Sequence, residues 1–134
     1  MKTSNKGLSI SLLLLSVLFY TCTDDGIELP YRTYSSLINQ VATDAPTENI
    51  LTNQLDISIT WSRLAEGKYE GKLSREIDVN STTIIIQLQE LNRIATGGFQ
   101  DASTIQLHVL DRFNVYDTRD GLSNAQLEIK QFQK

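Results

Sequence analysis

Between Leu55 and Leu64 the chain alternates, with Leu55, Ile57, Ile59 and Trp61 on one parity and Asp56, Ser58, Thr60 and Ser62 on the other. A period of two lines one face of a β-strand with apolar side chains, and the helical template from Leu55 is met only at Ile59. A half-buried strand is therefore expected here. Glu66-Gly67 then reads as a tight turn into a second strand over Lys68 to Val79. There Tyr69, Leu73, Ile77 and Val79 share a parity that Gly71 and Arg75 interrupt, as at a bulge or a sheet edge. Asn80-Ser81 is the next turn. Thr82 to Leu91 carries Ile84, Ile85 and Ile86 in succession, which predicts a central strand covered on both faces.

Asn92 to Ala102, with Gly97-Gly98-Phe99, reads as a longer loop. Alternation resumes over Ser103 to Tyr116 through Ile105, Leu107, Val109, Phe113 and Val115. A strand that long requires a bend or bulge near Asp111-Arg112. A polar loop over Asp117 to Asn124 leads to a last strand around Leu127 and Ile129. Upstream, Tyr34, Leu37, Ile38 and Val41 fall at i, i+3, i+4 and i+7 behind Thr33, which predicts one short helix closed by Asp44-Ala45-Pro46. The expected fold is mainly β: an antiparallel sandwich of at least five strands with one short N-terminal helix. A partly closed barrel and a helix packed on a curved antiparallel sheet are the alternatives.

Lys2 and Lys6 precede an uncharged, mostly apolar run of 13 residues from Leu8 to Tyr20. That is the length of the apolar stretch of an export signal and short of the roughly 20 residues that a spanning helix needs. The run ends at Phe19-Tyr20-Thr21-Cys22, and Cys22 is the only cysteine, so no internal disulfide can form. Thr23-Asp24-Asp25-Gly26 follows. These first 25 residues resemble a bacterial lipoprotein precursor of the Bacteroidota type. The lipobox is loose, with Leu18 one place early and Phe19, Tyr20 and Thr21 before the cysteine. The resemblance implies cleavage before Cys22, a diacylglyceryl group on its sulfur and an acyl group such as palmitate on its new amino group. It further implies that Asp24 and Asp25 act as a surface-export signal, placing the protein on the outer face of the outer membrane; the periplasmic face is the alternative. One acyl chain binds a membrane only marginally, and several hold it stably.

The expected organisation is a signal peptide over 1–21, a lipidated cysteine and tether over 22–29, and a single β-rich domain over 30–134. Without residues 1–21 the chain has 113 residues, enough for one modest core, and a formal charge of −6. A net acidic chain without a Lys/Arg cluster has no footprint for nucleic acid. The sequence holds no G-x-S-x-G, no H-E-x-x-H, no P-loop and no Cys/His spacing for a metal. His108, the only histidine, sits on the polar parity of its strand and reads as an exposed strand residue. Asp111, Asp117 and Asp120 gather oxygen around one loop but lack the spacing of a calcium loop, so a solvated turn is expected. Phe99, held in the loop by Gly97 and Gly98, reads as a loop anchor or as an exposed contact for a sugar or a partner. No catalytic residue, cofactor or metal is expected. The function expected is that of a non-enzymatic binding or assembly module whose partner is an envelope protein or a glycan. A carrier with an apolar cavity between its sheets comes second, and a hydrolase assembled in space, with His108 as base, comes third.

Overall fold

The computed structural model describes residues 29–133. The apolar run from Leu8 to Tyr20 expected to act in export, and with it Cys22, Asp24 and Asp25, lie outside the described residues. Eight strands follow in order: β1 (Tyr31–Asn39), β2 (Thr47–Asn53), β3 (Ile59–Ala65), β4 (Lys68–Leu73), β5 (Thr82–Gln87), β6 (Arg93–Asp101), β7 (Thr104–Asp111) and β8 (Ala125–Phe132). They form two four-stranded sheets, β2-β1-β8-β5 and β3-β4-β7-β6, with every pairing antiparallel. A 3-10 turn at Val79–Ser81 is the only helical element among the described residues. The two inner faces close over one core that includes Tyr34, Ile38, Leu55, Trp61, Tyr69, Ile105, Leu107, Val109, Leu127 and Ile129. This is a mainly β, antiparallel, sandwich-like architecture.

The expected helix over Tyr34 to Val41 is instead strand β1, in the interior of its sheet. Its buried parity is Tyr34, Ser36, Ile38, and the serine in the middle hid the alternation. Ser36 tolerates complete burial because its hydroxyl donates to Glu48 Oε1 at 2.7 Å, while the Tyr34 hydroxyl donates to Glu48 Oε2 at 2.9 Å. Burial first, and then the Glu48 charge, push the Tyr34 phenol well above its ordinary range. Val41, counted on the helical face, lies past the strand and is exposed.

Three further expectations change. The triple isoleucine is an edge strand: Ile84 and Ile86 turn inward, while Ile85 is 50% exposed on the outer face. Gly71 marks neither a bulge nor an edge. It lies within the interior strand β4, opposite Trp61, where a β-carbon would press on the indole ring and on Ile59. The stretch read as a loop around Gly97-Gly98-Phe99 is strand β6, paired with β7 through Gly97↔Leu107 and Phe99↔Ile105. Gly97 faces inward, and a methyl there would overlap Ile86 Cδ1 of the other sheet. Small size at that point lets the two sheets approach each other.

Register fixes which loops share an end. Strand β1 runs from Tyr31 opposite Phe132 to Ile38 opposite Ala125, and Gln87 also lies opposite Gln126. In the other sheet β4 runs from Lys68, opposite His108, to Lys72, opposite Thr104. The short 54–58 link from β2 to β3 and the bond from Ile77 N–H to Ala102 O hold the two sheets together at one end, and the Tyr69 hydroxyl reaches Gln40 at the other. The near end therefore holds residues 29–31, 54–58, 74–81, 102–103 and 132–133. The far end holds 40–46, 66–67, 88–92 and 112–124.

Candidate functional site

The far end is built on Asp120. Arg63 donates to it through Nε at 2.9 Å and Nη2 at 2.6 Å, a bidentate pair, and the Gly67 N–H donates at 3.0 Å. The Tyr69 hydroxyl lies 3.1 Å from Asp120 Oδ1 and 2.6 Å from Gln40 Oε1; its single proton serves one of them at a time. Gln40 Oε1 also accepts from the Gly121 N–H at 2.9 Å, and its Nε2 donates to Asp44 O. Arg93 Nη1 donates to the Asp120 and Gly121 carbonyls. Strands β3, β4 and β6 and the segment after β1 are thus tied to one turn of the β7–β8 connection.

Electrostatics follow this geometry. The Arg63 hydrogen bonds, supported by those from Gly67 and Tyr69 and opposed by burial, hold the Asp120 carboxyl well below the usual carboxylate range. Burial first, then Asp120, pushes the Tyr69 phenol up to about 12. An ionised carboxylate committed to a guanidinium and a buried phenol that keeps its proton suit a structural clamp rather than proton transfer.

Above this clamp sit apolar side chains without cover. Leu91 is 84% exposed, Phe113 85%, Val115 53% and Tyr116 94%. The two loops that carry them touch: the Arg112 N–H donates to Asn92 O at 2.9 Å, and Arg112 Nη1 donates to Leu91 O at 3.1 Å. Strand β7 ends at Asp111, whose carboxylate accepts from the Phe113 and Asn114 N–H groups and turns the chain outward. The long strand expected to reach Tyr116 stops here, and Phe113 and Val115 leave the core parity assigned to them. The signal that marks this loop is the pair Asp111 and Asn114, each capping the backbone two residues on.

The residues singled out in the sequence are not brought together. Phe99 stands in β6 rather than in a loop, partly buried against the core. His108 is on the outer face of β7, opposite Thr96 and Lys68. With Thr96, Gly97, Gly98 and Gln106 it lines a shallow hollow of about 290 Å³. Asp111 caps its turn, Asp117 pairs with Arg119 at 2.5 Å and Asp120 with Arg63, so the three carboxylates serve separate partners. Among the described residues no group of three or more His, Cys, Asp or Glu could hold a metal ion, and no helix is long and apolar enough to cross a membrane. No protein-family model, curated protein or solved structure matches the chain.

Proposed function

We propose that the protein is a lipid-anchored component of the cell envelope, held by acyl groups on Cys22 and facing outward from the outer membrane, and that its sandwich is a non-enzymatic binding module. One observation carries this reading: the two ends of the sandwich differ. The chain arrives from the Cys22 side at the near end, at Leu29 and Tyr31, while Leu91, Phe113, Val115 and Tyr116 stand uncovered at the far end. Large rings exposed on loops fixed by a rigid frame are the usual makings of a contact surface. A tether at one end and a contact surface at the other suit a molecule that reaches away from a bilayer toward an envelope protein or a glycan.

The test is protease shaving of intact cells, comparing wild type with Cys22→Ala and following a periplasmic marker. Digestion of the wild type while the marker survives, with loss of membrane association in Cys22→Ala, is the expected result. Protection until the outer membrane is broken would move the protein to the periplasmic face and remove the outward reading. Unchanged membrane association of Cys22→Ala would remove the anchor.

A further inference from the structure

At the far end of the outer face of the β2-β1-β8-β5 sheet, Gln87 at the close of β5 lies opposite Gln126 at the start of β8. With Leu88 and Gln89 they line an open hollow of about 400 Å³. Gln40, Gln54, Gln100, Gln106 and Gln131 each bond another protein group through the side chain. Among the described residues, the carboxamides of Gln87, Gln89 and Gln126 engage none, and the same holds for Gln133 at the near end. Three unpaired amides converge on one place, and no core packing requires them there, since all three are exposed.

The surroundings define what could fill it. From Val79 to Gln89 the chain carries no charged residue, in a molecule that is otherwise acidic. The charges that flank the hollow are neutralised locally, Glu90 by Arg93 at 3.1 Å and Glu128 by Lys130 at 3.1 Å. No Lys, Arg, Asp or Glu is among the residues that line the hollow, so its wall offers an ionic ligand no counter-charge. A carboxamide offers an acceptor oxygen and two N–H donors in a fixed plane, which matches a pair of neighbouring hydroxyls that each donate and accept. Leu88 in the hollow and the half-exposed Ile85 beside it on β5 supply apolar surface for the C–H face of a ring. The volume falls within the range of small-molecule sites.

We infer that the hollow formed by Gln87, Leu88, Gln89 and Gln126 binds a neutral sugar residue. This deepens the reading of the far end as the binding face and rests on it. The amides read the hydroxyl pattern, and a longer glycan seated there extends over the far-end loops that carry Leu91 and Phe113.

The experiment is ligand-observed saturation-transfer NMR on the detergent-solubilised full chain, with the methyl glycosides of glucose, galactose, mannose and N-acetylglucosamine tested singly. Transfer to at least one of them is expected with wild type, lost in Gln87→Ala/Gln126→Ala and retained in His108→Ala. Melting followed by circular dichroism checks that the double variant folds; Gln89→Ala, which lies outside the strands, is the second variant and should weaken transfer. Transfer to none of the four, or equal transfer with the glutamine variants, overturns the sugar site. Equal transfer there combined with loss in Phe113→Ser/Tyr116→Ser overturns the glutamine hollow while leaving the far end as the binding face.

Discussion

Asp120 accepts from Arg63, from the Gly67 backbone and from Tyr69, so its replacement is felt in β3, in β4 and in the turn between them. Asp120→Asn leaves the guanidinium without its counter-charge at a site about one-fifth exposed, and we expect a loss of about 1 to 2 kcal/mol by urea denaturation. The carboxyl is depressed in the folded state, so its contribution is complete above the ordinary carboxylate value of about 3.9 and drains away as pH falls through the folded value. Wild type should therefore lose more stability on acidification than Asp120→Asn; parallel acid profiles would refute the clamp. A second residue-scale prediction separates neighbours. Gly97→Ala must displace Ile86 and should cost roughly 1 to 3 kcal/mol. Nothing lies within 4 Å of a β-carbon at Gly98, so Gly98→Ala should be neutral or stabilise by about 0.4 to 1 kcal/mol through the unfolded chain. Equal melting temperatures for the two variants would contradict the close approach of the sheets at Gly97.

At the scale of elements, alternation of large apolar residues was readable wherever both strand faces kept their usual chemistry. Ile105, Leu107 and Val109 and then Leu127 and Ile129 are the examples, all fully buried as their parity required. Legibility failed where tertiary contacts overrode local character. Ser36 enters the core because Glu48, a dozen residues on, satisfies it; no local pattern announces that partner. Gly97-Gly98 has the composition of a turn and the hydrogen bonding of a strand, because the opposite sheet claims the space above Gly97. Strand β5 carries the clearest test of the corrected placement. Ile85→Lys puts a charge on a solvated outer face and should shift stability by about 0.5 kcal/mol or less. Ile84→Lys aims the same charge at the core and should unfold the domain. Similar melting curves for the two lysine variants would mean that β5 is covered on both faces after all.

Across the whole molecule, the fold class was legible and the candidate site was not. The five alternating stretches with turn residues between them leave few architectures open, whereas a proposed contact surface made from Leu91 on one connection and Phe113 on another depends on which loops share an end. That is a property of strand order, and order is decided by pairings between distant segments such as β1 with β8. The same pairing has a mechanical consequence. Tension between the proposed membrane anchor and a proposed partner at the far end would enter through the first residue of β1 and leave through loops at the other extremity, along the strand axis. Strand β1 is bonded on both flanks, to β2 and to β8. Its rungs would then bear the load together, in shear, where a strand pulled from its side would open like a zip. Loaded in that way, the sandwich is strung along its stiff direction.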